Sequence, residues 1–190
     1  MKKNFIIAAI LGGIALICAV AIAGMNMVTS SIIEKNAAQT ELETCQAIFA
    51  DYDSLKSEEK EASNSAIVKK VLAKDSSGNE LGYLYTVTGK NSYGAITLMV
   101  AIKDDKVIQV EFLENGQSFA STVVSHVQSS YPSSPDETIH AGFKPDSVEA
   151  VGALTGDEVD SIDTICGATY GAVLVKDLVK IALNDAKGVN

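Results

Sequence analysis

The chain has 190 residues, enough for one domain, and a formal net charge of −9. That charge argues against a nucleic-acid partner, because phosphate backbones attract clustered cations. All 15 cationic side chains are lysines, so a bound phosphate would have to be held without the bidentate guanidinium group of arginine.

An apolar segment dominates the N-terminus. After Lys2 and Lys3, the run Phe5–Met25 contains 21 apolar or small residues. A run of this length spans a membrane core of about 30 Å at about 1.5 Å per residue. A cleaved signal peptide is the alternative, since residues 21–23 have the small-x-small form of a cleavage site, but its apolar region is usually about 7–15 residues long.

The length of this run favours an uncleaved anchor. We therefore expect a single-pass protein of the cell membrane, with residues 1–28 as the cytoplasmic start and the transmembrane anchor. The two lysines predict that the N-terminus stays in the cytoplasm and that the C-terminal domain is extracytoplasmic. Loosely helical spacing of apolar residues over 32–49 predicts a stalk helix that follows the anchor. With the polar stretch after it, this helix makes up a stalk and linker, 29–65.

Four segments beyond the linker have the β-branched content or the alternation of strands. The alternation is clearest in the third segment, as in a half-buried antiparallel strand. Asp104 and Asp105 lie between the last two segments and predict a tight hairpin. The four predicted strands are Ile67–Ala73, Leu81–Thr88, Ala95–Lys103 and Val107–Leu113.

Helical spacing follows in Phe119–Val127, and Val148–Leu154 predicts a short strand broken by Gly152. Thr169–Ala186 predicts a helix near the end of the chain. The elements together predict an α+β fold, in which an N-terminal transmembrane helix and a stalk precede a mostly antiparallel sheet with flanking helices.

The segment Asp163–Thr169, DTICGAT, stands where the last helix begins. In the ordinary interpretation Thr169 is the N-cap and Gly167 is present for backbone freedom. In the alternative, the N–H groups and the dipole of the helix start favour a phosphate. Gly167 and Ala168 lack bulk, so a large group could approach the backbone, and the Thr169 hydroxyl could carry a phosphoester.

This segment resembles the Asp-x-x-Ser/Thr-Gly-Ala-Thr signature of the membrane-anchored FMN-binding domain. That domain occurs in the G subunit of Rnf-type electron-transport complexes and in the C subunit of the sodium-pumping NADH:quinone reductase. The resemblance implies that Thr169 carries FMN through a phosphodiester bond, with Cys166, Gly167 and Ala168 beside the cofactor. A flavin transferase would install the bond and read Asp163 as part of its recognition sequence. Residues 66–190 would then form the FMN-binding domain.

The segment Gly82–Phe119 is similar to the Gly-Tyr strand, the tyrosine-containing turn and the paired strands of the same family. Two positions differ from the family pattern. Cys166 stands where serine or threonine is usual, and Asn115–Thr122 stands in the place of a Glu-Thr-Pro-Gly-Leu-Gly loop, with Gln117 and Ser118 where Glu-Thr would be. Because that loop approaches the flavin in the family, Ser118 is a further expected cofactor contact.

The resemblance implies an electron-transfer flavoprotein, a subunit of a membrane complex that couples electron transfer to ion translocation, with other membrane subunits as partners. It would serve as an electron-transfer subunit rather than as an independent catalyst. One alternative is a standalone extracellular flavinylated carrier. Another is a non-redox membrane-anchored binding module, in which the motif is an ordinary helix start.

No catalytic residue and no metal ligand set is predicted. The two histidines, His126 and His140, lie outside any recognisable catalytic or metal-binding motif. Five aromatic residues are candidates for contact with the flavin ring, although core packing explains each of them as well. They are Tyr83, Tyr85, Tyr93, Phe119 and Tyr170.

Overall fold

The computed structural model describes residues 2–133 and 151–189, and the chain divides into two units, Met1–Thr40 and Glu41–Asn190. Helix α1 runs from Lys2 to Ile48. Its window Ile10–Met27 has a mean hydropathy of 2.1 over 18 residues, which is long and apolar enough to cross a membrane. This helix is consistent with the predicted anchor, and it continues without a break through the predicted stalk helix.

The second unit contains a five-stranded sheet in which all neighbouring strands are antiparallel and follow one another in chain order. The four predicted strands are present, and two of them, β3 and β5, are longer by three or more residues than the sequence indicated. The additional strand, β1, has the sequence EEK and is exposed at all three positions, so no apolar pattern could reveal it. The strands are β1 Glu58–Lys60, β2 Ile67–Lys74, β3 Glu80–Asn91, β4 Gly94–Lys103 and β5 Lys106–Asn115.

The hairpin between β4 and β5 is the predicted one. Asp104 and Asp105 form its two-residue turn, with φ angles of 51° and 59°. Two central residues in the left-handed region match the right-handed twist of the flanking strands, and aspartate tolerates that region better than most residues. Lys103 and Lys106 pair directly across the turn.

Three further helices are α2 (Ala120–Ser130), α3 (Gly156–Ser161) and α4 (Thr169–Ala186). α4 has the bounds that the sequence predicted, and it packs the buried Val175 and Leu178 into the main core with strands β3, β4 and β5. α2 adds Val123 and Val127 to the same core. The chain is therefore α+β, as predicted.

Helix α3 was missed because its six residues, GDEVDS, are mostly acidic and bury only Val159. Its sequence signal is a capping box instead. The Thr155 side chain accepts from the backbone N–H of Glu158, and the Glu158 carboxylate accepts from the N–H of Thr155 at 2.7 Å.

The predicted strand Val148–Leu154 is wrong in the part that can be compared. Residues 148–150 lie outside the described residues, and 151–153 form no strand. Leu154 makes only an isolated antiparallel bridge with Val107, through two backbone hydrogen bonds of 2.8 and 2.9 Å. A single residue held in this way does not need the alternating pattern of a strand.

Candidate functional site

The N-terminus of α4 borders a cavity of about 240 Å³. Three parts of the chain form its walls: the turn between β3 and β4, the segment from β5 into α2, and the motif that opens α4. The lining residues are Tyr93, Gln117, Phe119, Val123, Gly167, Ala168, Thr169, Tyr170 and Gly171.

The motif enters the helix without a side-chain cap. Gly167 has a φ of +76°, in the left-handed region that favours glycine. Ala168 is the N-cap residue, and Thr169 is the first helical residue. The expectation that Thr169 is an ordinary N-cap is therefore wrong. An alanine methyl group accepts no hydrogen bond, and alanine at the N-cap costs about 0.5–2 kcal/mol relative to Ser, Thr, Asn or Asp.

The backbone N–H groups of the first helical turn differ in their partners. The N–H groups of Gly171 and Ala172 both donate to the carbonyl of Ala168, at 2.9 and 3.1 Å. Those of Thr169 and Tyr170 donate to no acceptor within residues 2–133 and 151–189. They lie at the positive end of the helix dipole, so this end of the cavity can hold an anion.

Thr169 is exposed as well as being a cavity residue. Its hydroxyl makes no hydrogen bond to any residue that the structure describes, so it does not contribute a hydrogen bond to the fold. A hydroxyl next to free N–H groups, beside the small residues Gly167 and Ala168, is accessible to a bulky phosphorylated group.

Three exposed aromatic side chains line the cavity. Phe119 is 58 % exposed, and the rings of Tyr93 and Tyr170 stack with centroids 5.3 Å apart and planes at 25°. The other two aromatic candidates are elsewhere. Tyr85 is fully buried in the core, and Tyr83 contacts it at 6.1 Å between ring centroids.

The remaining predicted site residues do not line the cavity. Cys166 is half-buried and packs against the main core. Ser118 is exposed, and its N–H and hydroxyl both donate to the carbonyl of Tyr93, at 3.0 and 3.3 Å. Asp163 is exposed and accepts from the N–H of Ile165 at 2.9 Å. These residues shape the two segments that lead into the cavity.

Two lining residues, Val123 and Gly171, were not identified from the sequence. Gln117 was placed in the loop expected to approach the flavin, but only Ser118 of that loop was expected to contact it. Gln117 is only 7 % exposed, although glutamine is usually a surface residue. An ideal Cβ on Gly171 would lie 2.5 Å from Cγ2 of Val123, so this glycine lets α2 and α4 approach closely. A glycine inside an apolar helical pattern often has such a packing reason, and that signal could have been used.

None of the lining residues carries a charge. His126 is buried on α2 at 8 % exposure and does not line the cavity. Burial lowers the pKa of His126, while the carboxylate of Asp163 acts weakly in the opposite direction. His140 lies outside the described residues. The cavity therefore offers neutral side chains and backbone N–H groups.

Residues 92–184 match the model of a family described as FMN-binding domain. Every residue that lines the cavity falls within this range. No curated protein matches the chain. The family match supports an FMN-binding domain in this part of the chain, with FMN as its cofactor, and hence a flavin-binding protein.

Proposed function

We propose that this chain is a membrane-anchored electron-transfer flavoprotein that carries FMN covalently on Thr169. The observation that supports it is the position of Thr169, exposed at a cavity, first in α4 and next to free backbone N–H groups. A flavin-binding protein needs a site for a phosphate, and this helix start fits one. The proposal has the domain outside the cytoplasm and the FMN attached by a flavin transferase.

The neutral lining of the cavity favours a covalent link over free binding. Charge-assisted hydrogen bonds are roughly twice as strong as neutral ones, and here no lysine lines the site. Two N–H groups and a helix dipole, which contributes about 0.3–1 kcal/mol at an exposed site, would hold a free phosphate weakly. A phosphodiester through the Thr169 oxygen makes retention independent of that affinity.

Bound FMN would supply one- or two-electron transfer, and the protein would supply position and electrostatics. Small residues at 167 and 168 leave room for the phosphate, and the free N–H groups of Thr169 and Tyr170 can donate to it. The exposed rings of Tyr93 and Phe119 offer apolar faces to the flavin ring. The open cavity leaves the flavin accessible to a redox partner. We propose that this partner is another membrane subunit of an electron-transport complex coupled to ion translocation.

Intact-mass measurement tests the covalent link. The full-length chain is co-expressed with a flavin transferase, purified in detergent and compared with Thr169→Val and Thr164→Val. Thr164→Val makes the same chemical change five positions earlier in the same segment and serves as the matched control. We expect the mass of FMN less one water on the wild type and on Thr164→Val, and no increment on Thr169→Val.

An unmodified wild-type chain under these conditions would refute the proposal and leave the non-redox binding module as the better interpretation. An FMN increment that persists in Thr169→Val would place the attachment at another residue. Fluorescence of the denatured protein in a gel is a second readout, because only a covalently bound flavin stays with the chain.

A further inference from the structure

We propose that the side chain of Gln117 is a fixed hydrogen-bond acceptor in the cavity and binds an N–H or O–H group of the flavin. The inference rests on the proposed function, because it concerns the ligand of the same cavity. It assigns a ligand contact to a buried amide whose carbonyl oxygen the fold leaves free.

The orientation of this amide follows from its neighbour Asn91. The Asn91 Nδ2 donates to the carbonyl of Tyr170 at 3.0 Å. The Asn91 Oδ1 accepts from the N–H of Tyr93 at 2.8 Å. A carbonyl can only accept and a backbone N–H can only donate, so these two bonds fix which end of the Asn91 amide is nitrogen.

The Gln117 amide is then fixed in turn. Its Nε2 donates to the carbonyl oxygen of Gly94 at 2.6 Å and to the fixed Oδ1 of Asn91 at 3.2 Å. Both neighbours are acceptors, so exchanging Nε2 with Oε1 would bring oxygen against oxygen. The backbone N–H of Gln117 is also held, by Oδ1 of Asn115 at 3.2 Å. The loop therefore presents this amide in one orientation.

The Gln117 Oε1 lies on the cavity side. An ideal Cβ on Gly171 would be 3.4 Å from it, which puts this oxygen beside the first turn of α4. Both residues line the cavity. Within the described residues, Oε1 accepts no hydrogen bond, and Gln117 as a whole is only 7 % exposed.

A pre-oriented acceptor of this kind discriminates between ligands. A ligand that covers Oε1 excludes water from it, and a polar group left without a partner in that state costs about 1–3 kcal/mol, so a ligand that brings a donor is favoured over one that brings only acceptors. FMN has two kinds of donor that can serve: the hydroxyl groups of its ribityl chain and the imide N–H of its ring. The same acceptor chemistry suits both.

The test uses the full-length, flavinylated chain in detergent and three variants. Gln117→Met removes the acceptor at similar length, and Gln117→Glu replaces the amide by a carboxyl. Gln128→Met is the control, because it makes the same change at a buried glutamine of α2 that does not line the cavity. Intact mass confirms FMN on each protein and thermal unfolding confirms that each is folded. The readouts are the alkaline pH midpoint of the flavin absorbance spectrum and the anisotropy of its fluorescence.

If Gln117 binds the ring imide N–H, loss of one hydrogen bond lowers the alkaline midpoint of Gln117→Met by roughly 0.5–1 pH unit. Gln117→Glu raises the midpoint, because a carboxylate opposes deprotonation of the ring, and Gln128→Met leaves it unchanged. If Gln117 binds a ribityl hydroxyl, the midpoint is constant and the anisotropy falls in Gln117→Met alone.

Equal midpoints and equal anisotropies in Gln117→Met, Gln128→Met and the wild type would overturn the inference while the FMN mass still supports the proposed function. A wild-type chain without FMN would overturn the proposed function and this inference with it. Where Gln117→Met does not fold, Gln117→Glu decides, since an unchanged midpoint and anisotropy in that variant contradict any contact with the flavin.

Discussion

The close contact between α2 and α4 at Gly171 makes the effect of Gly171→Ala on stability depend on the residue at position 123. Alanine is favoured over glycine within a helix by about 0.5–1 kcal/mol, so Gly171→Ala alone could be expected to stabilise α4. The new Cβ would, however, lie 2.5 Å from Cγ2 of Val123, against the usual 3.5–4.0 Å or so between carbon atoms. Val123 is fully buried and β-branched, so it has no free rotamer into which it can move.

Overpacking of this kind typically costs about 1–3 kcal/mol. After the gain in helix propensity, we expect Gly171→Ala to lower the free energy of unfolding by about 1–2 kcal/mol net. For a chain of this size that corresponds to a fall in Tm of roughly 2–8 °C. In a Val123→Ala background the obstructing methyl groups are absent, so the same Gly171→Ala change should be neutral or stabilising.

The assay is a double-mutant cycle on the full-length chain in detergent. Thermal unfolding is followed by near-ultraviolet circular dichroism, because the buried Tyr85 and Tyr131 report on the core of a protein that has no tryptophan. We expect a coupling free energy of about 1–3 kcal/mol between the two positions. Additive effects, or a Gly171→Ala single variant as stable as the wild type, would show that α2 and α4 do not approach closely here.

Two further predictions concern other contacts of the fold. Burial alone would raise the pKa of Asp185, but hydrogen bonds led by that from Lys70 lower it from 3.8 to about 2. The ionised Asp185 contributes its full stabilisation above the pKa that it has in the unfolded chain. The stabilisation is lost as the pH falls through the lower pKa that it has in the folded chain. The free energy of unfolding should therefore drop by about 2 kcal/mol between pH 5 and pH 2. Denaturant titrations of Asp185→Asn at the same pH values should lack this drop. An equal dependence of unfolding free energy on pH in both proteins would contradict the prediction. Gly94 has a φ of +140°, and a Cβ there would lie 2.0 Å from the carbonyl oxygen of Gly116, so Gly94→Ala should lower the unfolding midpoint by the equivalent of at least about 2 kcal/mol. Gly152→Ala, where none of the described residues comes within 4 Å, should leave that midpoint unchanged, and equal midpoints for the two variants would refute the steric argument.

The elements that the sequence predicted well are those with a strong periodic signal. α4 and the hairpin at Asp104 and Asp105 were found because apolar spacing and turn chemistry are local properties. β1 and α3 were missed because one is fully exposed and the other buries a single valine. Neither element carries a hydrophobic pattern. β1 depends on pairing with β2, and α3 depends on the local capping box of Thr155 and Glu158.

The candidate site was predictable only in part, for a related reason. The motif around Gly167 is contiguous, so its residues could be identified together. The opposite wall is not contiguous with it: Gln117 and Val123 reach the cavity because α2 packs on α4, and that packing depends on the absence of a side chain at Gly171. Cys166 and Ser118 are adjacent in sequence to lining residues. The Cys166 side chain packs against the core, and the Ser118 hydroxyl donates to the carbonyl of Tyr93.

The charge of the chain and the neutrality of the cavity together bear on how a flavin would be retained. An acidic protein with no arginine repels a phosphate at long range, and the lining residues add no cation to compensate. Affinity that depended on phosphate contacts would be weak and further weakened by salt. The proposed covalent bond to Thr169 would separate retention from affinity, so that the cavity could stay open and its aromatic and amide groups could be arranged to position the flavin. On this argument, the residues that face the cavity should tune the environment of the flavin, and only the residue that carries it should decide whether it is present.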